Sequence, residues 1–183
     1  VHLRYGSDVS AVLDEAFALV YDRTDCRRFS DELAQRNMNV LHASAQPRFC
    51  EHLVKHQLAD SLLALTLLED IPKRLASHFF ANLIKPNARL RVRTLELLGK
   101  AYDHALLPLL VELAKAPFDF LTEVKLATLE RITVTLKNEE LPADLAKLVL
   151  YTLLGTLHVR FTPMFPFVHR AVAQLLTQNP NMV

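Results

Sequence analysis

The sequence predicts an all-α fold of about eight or nine short helices, and three observations support this prediction. The chain of 183 residues contains only three glycines, so the tight hairpin turns of β-sheets are disfavoured. Leucine and alanine, which favour helices, dominate the composition. Apolar residues recur at spacings of three and four, and proline or asparagine separates the runs. With 51% hydrophobic and 22% charged residues, the chain is globular rather than disordered.

The first third of the chain has the less regular pattern. Residues 8–20 form the first predicted helix, which Ser7 can cap. Its apolar stripe is Val9, Val12, Leu13, Ala16, Phe17 and Val20. Residues 27–40 are a second candidate helix. The region 49–69, which follows Pro47, is predicted to be one long helix or two short ones.

From Pro72 onward, proline and asparagine residues separate the predicted helices at regular intervals. Pro72 itself is placed at a helix start, because its missing N–H has no role there. This helix is predicted to line one face with Leu75, Phe79 and Leu83, and the pair Pro86-Asn87 ends it and caps the next. The helix 88–102 is predicted to be amphipathic. Its two sides are Leu90, Thr94, Leu97, Leu98 and Ala101 against Arg89, Arg93, Glu96 and Lys100.

Four further helices are predicted by the same reasoning. A short one starts at Leu106 and ends around Pro117, and the next spans 121–136 with Leu129, Ile132 and Leu136 on one face. Pro142 introduces the helix 145–158, which is apolar nearly all round and is expected to be covered on both sides. Pro163 and Pro166 open the last helix, whose stripe is Met164, Val168, Val172 and Leu175.

Short links between successive helices favour antiparallel pairs, and stacked pairs form an α-solenoid of the HEAT or armadillo type. A repeated sequence pattern supports this arrangement, because Val92-Arg93 with Leu97 recurs further along the chain as Val124-Lys125 with Leu129. A closed helical bundle is the alternative. We therefore predict that 1–183 is a single helical-repeat segment, with less regular helices in 1–70 and clearer HEAT-like pairs in 71–183. The absence of a methionine at Val1 indicates a segment of a much longer solenoid.

Charge and cysteine usage bound the compartment and the partners. The chain has 21 basic and 20 acidic residues, whereas a dedicated nucleic-acid coat is strongly basic. Cys26 and Cys50 are too few for a disulfide framework, which favours an intracellular, reducing compartment. The uncharged stretch 148–157 is half the length of a membrane span, so it is interpreted as a core helix and no membrane partner is expected.

No catalytic pattern emerges, so the chain is not predicted to be an enzyme. His52 and His56 lie four apart near Cys50 and could share a metal, but the HExxH order is absent and a solvated polar face is the simpler interpretation. Cys26 lies beside Arg27 and Arg28, which would lower the pKa of a thiol, yet no partner histidine is apparent. We expect no metal, no cofactor and no small-molecule substrate.

The clearest functional signal is a basic window at 71–102, where seven basic residues face one acid, Glu96, for a net charge of +6. Segment 8–32, in contrast, carries seven acids and three basic residues. Such asymmetry is typical of a patch that contacts phosphates or an acidic partner. The predicted contact residues are Lys73, Arg74, Lys85, Arg89, Arg93 and Lys100. The alternative is a basic face that only keeps the protein soluble.

The stretch 148–167, with Leu153-Leu154-Gly155 followed by Arg160-Phe161-Thr-Pro-Met-Phe165, resembles the down-regulated-in-metastasis family. These are giant HEAT-repeat proteins of the small-subunit processome, and Phe165 stands where the family pattern has tryptophan. The Arg-x-x-Thr-Leu-x-Leu-Leu pattern at 91–98 is also similar to a family segment. The resemblance implies a non-catalytic nucleolar scaffold that holds pre-ribosomal RNA and assembly factors.

The sequence therefore leaves three alternative functions open. The first is the scaffold of ribosome small-subunit biogenesis, in the nucleolus or nucleus, with other proteins and pre-ribosomal RNA as partners. The second is a generic HEAT-type adaptor that binds only proteins. The third is a small metal-dependent or thiol enzyme built around Cys50, His52 and His56.

Overall fold

The computed structural model describes residues 46–115, 122–159 and 161–182. Within these ranges all regular secondary structure is helical, which confirms the predicted all-α class. The helices are α1 (Gln46–Lys55), α2 (Leu62–Thr66), the 3-10 helix η1 (Lys73–Ile84), α3 (Ala88–Gly99), α4 (Leu106–Lys115), α5 (Thr122–Asn138), α6 (Ala143–Thr156) and α7 (Phe165–Gln178). Two short 3-10 turns, Thr162–Met164 and Pro180–Met182, flank α7. The helices predicted at 8–20 and 27–40 lie outside the described residues.

The first described region forms two short helices, α1 and α2, rather than one long one. After α1, Gln57 adopts a left-handed backbone with a φ of 57°. The Leu58 N–H donates to the Leu53 carbonyl at 2.8 Å, which is the bond pattern of a closed helix C-terminus. Ser61 then caps α2, because its Oγ accepts from the Ala64 N–H at 3.3 Å.

Helix η1 is predicted from its proline start, but it is a 3-10 helix with three residues per turn. Residues three apart therefore share a face. Ala76, Phe79 and Asn82 share one such face and are buried, as are Phe80 and Leu83, whereas His78, Ala81 and Ile84 share an exposed face. Of the predicted stripe, Phe79 and Leu83 are buried, and Leu75 is half-buried and packs against the core.

The cap predicted at Asn87 is confirmed, since its Oδ1 accepts from the Leu90 N–H at the start of α3 at 3.2 Å. The predicted apolar side of α3 is buried except for Ala101, which is half-buried. On the predicted solvent side Arg89 and Lys100 are exposed, whereas Arg93 is half-buried. The sequence placed Arg91 at the apolar edge, and the structure buries it.

The remaining helices agree with their predicted stripes, with two differences. Leu129, Ile132 and Leu136 of α5 are fully buried, as predicted. The stripe of α7 is buried except for Val172, which is half-buried. Helix α6 packs against η1, α4 and α7, but it is not covered all round, because Leu154 and Leu157 remain exposed along one edge.

Helix α6 runs parallel to η1, although α3, α4 and α5 lie between them in the chain. At their N-terminal ends Lys73 Nζ lies 3.8 Å from Asp144 Oδ2. At mid-helix the rings of Phe80 and Tyr151 meet edge to face, with centroids 6.2 Å apart. At their C-terminal ends Gly155 presses against the Leu83 carbonyl. The contact between η1 and α6 lies within the hydrophobic core.

Consecutive helices also pair, as expected for short links: η1 with α3, α3 with α4, α4 with α5, and α6 with α7. Contacts also join α4 to α6 and α5 to α7, one helix further along the chain. Within the described part of the chain, no helix has the length and apolar character needed to cross a membrane.

Candidate functional site

Three of the six predicted contact residues form exposed ion pairs with carboxylates that lie outside the basic window. The pairs are Lys73 with Asp144 at 3.8 Å, Arg74 with Glu51, and Lys85 with Asp60 at 2.5 Å. The Lys73 ammonium also lies 5.2 Å from the centroid of the Tyr102 ring. Exposed ion pairs contribute about 0 to 1 kcal/mol, so a stronger anion can displace these carboxylates.

Two other predicted residues bond to backbone carbonyls in the last turn of α2 and directly after it. The Arg93 guanidinium donates to the Leu65 carbonyl at 3.1 Å and to the Leu68 carbonyl at 2.6 Å. The Lys100 ammonium donates to the Glu69 carbonyl at 2.6 Å. The last carbonyls of a helix lack intrahelical partners, and cations stabilise them through hydrogen bonds and the helix dipole. These two side chains therefore have a structural role.

The sixth predicted residue, Arg89, is exposed on the first turn of α3. Among the described residues it makes no ion pair or hydrogen bond. Pairing Glu51, Asp60 and Asp144 with cations lowers the window's charge of +6 by three, to +3. The structure thus does not gather the six residues into one cluster of unopposed charge, and their role in binding stays a prediction.

Arg91 is the basic residue that the tertiary structure buries. Its guanidinium donates to the Lys85 carbonyl at 2.6 Å and to the Pro86 carbonyl at 2.8 Å, which ties α3 to the turn after η1. Loss of hydration lowers the pKa of this guanidinium. A cavity of about 10 Å³ beside it has room for about one water molecule and not for a phosphate group or a metabolite.

The candidate enzyme site at Cys50 lacks a reactive thiol. Cys50 is fully buried in the core, and burial, followed by the charge of Asp70, raises the pKa of its thiol to about 12. A thiol with such a pKa stays protonated at neutral pH and is a poor nucleophile. The rings of His52 and His56 stack at 5.9 Å, but the described residues contain no group of three or more potential metal ligands. Cys26 lies outside the described residues.

Burial of Cys50 predicts that stability falls as the pH rises from about 9 to about 12. The thiol ionises near pH 9.0 in the unfolded chain but near 12 in the fold, so unfolding releases a proton between these values. Burial and the nearby Asp144 carboxylate likewise raise the pKa of Tyr102 from 10.0 to about 12. The stabilisation is thus complete below the unfolded pKa and is lost as the pH rises through the folded pKa.

Denaturant titrations of the wild type and of Cys50→Ala at several pH values from about 8 to 11 test this expectation. The difference in the free energy of unfolding between the two proteins should shrink as the pH rises. A difference that does not change with pH would show that the thiol ionises equally in both states.

Sequence reasoning missed two exposed apolar surfaces. Ile84, Leu154 and Leu157 are 41%, 38% and 41% exposed where η1 and α6 end side by side, and we call these three residues the α6 surface. The second surface is a groove of about 550 Å³ between α4 and α5, where Val134 is 56% exposed. The residues lining this groove are Ala105, Leu109, Ala127, Glu130, Arg131, Val134 and Thr135.

An exposed apolar side chain on a helix carries a weak signal in the sequence, because only the packing shows which face is left uncovered. Leu154 and Leu157 stand in the most apolar run of the chain and were interpreted as core. Exposed apolar surface of this kind is typical of interaction sites.

The described part of the chain is thus an all-α protein that presents apolar helix edges and ion-paired cations. Comparison with protein-family models, curated proteins and solved structures gives no match to this chain.

Proposed function

We propose that this chain is a non-catalytic helical scaffold that holds other proteins within a larger assembly. The observation that carries the proposal is the pair of exposed apolar surfaces, the α6 surface and the α4–α5 groove, on helices whose opposite faces are already buried in the core. The described residues offer backbone-bound or ion-paired cations, a buried thiol and a one-water cavity, which suit a structural role rather than catalysis.

The proposed architecture is an array of HEAT-like helix pairs. Pairing of η1 with α3, α4 with α5 and α6 with α7, together with the α4–α6 and α5–α7 contacts, supports this arrangement. The parallel contact between η1 and α6 joins the first of these pairs to the third, so the pairs form a more compact unit than a strictly nearest-neighbour array. That 1–183 is one segment of a longer array stays a prediction.

The narrower form of the proposal places the scaffold in the small-subunit processome, in the nucleolus, with pre-ribosomal RNA and assembly factors as partners. Its support is the resemblance of residues 148–167 and 91–98 to the down-regulated-in-metastasis family. Arg89, Lys73, Arg74 and Lys85 are the candidates for RNA contact, because phosphates can replace weakly held surface carboxylates.

A protein-only adaptor is the second candidate function, and the charge arrangement favours it. Three cations of the basic window are neutralised by carboxylates, and two more bond to backbone carbonyls. RNA binding depends on many unopposed cations, whereas docking of a protein on an apolar surface does not.

Crosslinking of the full-length protein to RNA in cells, with sequencing of the bound RNA and mapping of the crosslinked peptide, separates the two functions. The processome proposal expects precursor ribosomal RNA attached to a peptide within 73–100. It also expects Arg89→Gln to reduce crosslinking severalfold, whereas Lys137→Gln, which alters an exposed cation at the end of α5, leaves it unchanged.

Co-purifying proteins without RNA above background would support the adaptor instead. Purified protein that carries neither RNA nor protein partners at cellular concentration would contradict the scaffold proposal itself.

A further inference from the structure

The last acidic residue of the chain, Asp144, stands in the first turn of α6. All 20 aspartate and glutamate residues of the chain lie at or before Asp144, so the stretch 145–183 contains none. The same stretch holds three cations, Lys147, Arg160 and Arg170, and two histidines. At the frequency of the preceding residues, several acids would be expected there. Beyond Asp144, the charged side chains of α6 and α7 are therefore all basic.

The α6 surface lies within this acid-free region. Along the outer edge of α6, Lys147, Tyr151, Leu154 and His158 follow one another at helical spacing. His158 Nε2 donates to the Ile84 carbonyl at 2.7 Å, which brings the exposed Ile84 side chain next to this edge. The result is a continuous apolar strip that has a cation at one end and a histidine at the other.

Two nearby carboxylates, Asp144 and Asp60, are already paired with cations. Asp144, at the N-terminal end of α6, pairs with Lys73, and Asp60 pairs with Lys85 beside Ile84. In the described part of the chain Lys147 makes no ion pair, although its ammonium lies 5.8 Å from the Tyr151 ring centroid. A carboxylate from outside can therefore approach Lys147 without displacing an internal partner.

We propose that the α6 surface binds an acidic amphipathic helix of a partner protein. The apolar side of that helix packs on Ile84, Leu154 and Leu157, and a carboxylate on its flank pairs with Lys147. Helix-in-groove recognition of this kind uses apolar anchors at i, i+3, i+4 and i+7 of the bound helix. The inference deepens the proposed scaffold function by naming the class of partner for one surface.

The composition of the surface selects a protein helix over a nucleic acid. Proteins that hold a phosphate backbone make about six to ten cationic contacts, whereas the described residues of this region offer two, Lys147 and Arg170. Single-stranded nucleic acids also need flat aromatic rings on which bases stack. The three exposed anchors here are aliphatic, and Tyr151 on the same edge is half-buried against Phe80.

Fluorescence anisotropy on the purified full chain tests the inference with three labelled probes. Two are designed amphipathic helices of about 20 residues that share a leucine face and differ in carrying glutamates or lysines on their flanks. The third is a single-stranded RNA of similar length. We expect the glutamate peptide to bind at least about tenfold more tightly than the lysine peptide or the RNA.

Two variants locate the binding, and a third tests its charge preference. Leu154→Glu is expected to weaken binding of the glutamate peptide at least about tenfold, while Val134→Glu, on the separate α4–α5 groove, leaves it unchanged. Both replace an exposed side chain, and an unchanged melting temperature shows that each variant folds. Lys147→Glu should weaken binding of the glutamate peptide and strengthen binding of the lysine peptide. A merely structural role of Lys147 would not produce this reversal.

Equal affinity for the two peptides, preference for the RNA, or equal losses in Leu154→Glu and Val134→Glu would overturn the inference. Failure of this inference can be told apart from failure of the scaffold proposal. Protein partners of the cellular protein that survive Leu154→Glu but are lost in Val134→Glu would leave the scaffold standing and assign its binding to the groove instead.

Discussion

Replacement of Gly155 by alanine is expected to lower the free energy of unfolding by about 3 kcal/mol. A β-carbon at this position would overlap the Leu83 carbonyl oxygen and would lie only 3.1 Å from its carbonyl carbon and 3.0 Å from Arg91 Cδ. Backbone atoms cannot swing aside as a flexible side chain can, so α6 would have to move away from η1. Because this contact closes the core, the loss of packing would spread to both helices.

Chemical denaturation followed by circular dichroism measures this effect, and Gly99→Ala is the matched control. The β-carbon added at Gly99 would lie 3.9 Å from the side chain of Leu107, an ordinary contact. Alanine favours a helix over glycine, so Gly99→Ala should leave stability unchanged or raise it by up to about 1 kcal/mol. Similar effects of the two substitutions would mean that α6 and η1 do not approach as closely as the structure shows.

Truncation of Phe80 to alanine is expected to destabilise the protein by about 3 to 5 kcal/mol. The Phe80 ring is 2% exposed and meets Tyr151 edge to face at the middle of the η1–α6 contact. Removing it would leave a cavity between two helices that neighbouring side chains can fill only in part. The unfolding free energy and the melting temperature report the loss.

Ile84→Ala is the informative companion, because it tests the 3-10 register of η1. Residues four apart share a face in an α-helix, so that spacing would bury Ile84 together with Phe80. In the 3-10 helix Ile84 is 41% exposed, and its truncation should cost less than about 1 kcal/mol. Equal losses at the two positions would contradict the three-residue period.

Helix positions were largely predictable because their signals are local. Asn87 caps α3 as predicted, Pro142 precedes α6, and the stripe of Leu129, Ile132 and Leu136 is buried. The hydrogen-bond type of η1 was not predictable, since its buried residues Ala76, Phe79, Phe80 and Leu83 also fit the spacing of an α-helix. The stretch 49–69 likewise left one or two helices open, and the left-handed turn at Gln57 decides for two.

The ion pairs and hydrogen bonds of the candidate site, in contrast, were not predictable from the sequence, because they join residues that are distant in the chain. Counting residues in the window 71–102 gave a net charge of +6. The acids that neutralise Arg74, Lys85 and Lys73 all lie outside that window, and the partner of Lys73 comes from α6. The hydrogen bonds of Arg93 were not predictable for the same reason, because its partners, the Leu65 and Leu68 carbonyls, lie 28 and 25 residues earlier in the chain.

Composition and periodicity were thus sufficient to predict the all-helical class of the described residues and the approximate positions of most helices from 72 onward, because helix formation depends on residues three and four apart and on capping side chains. Only the tertiary structure decided that α6 lies parallel against η1, that Gly155 is needed there, and that Ile84, Leu154 and Leu157 stay exposed. Which face of an apolar helix is covered depends on where distant helices pack, and that is a property of the whole fold.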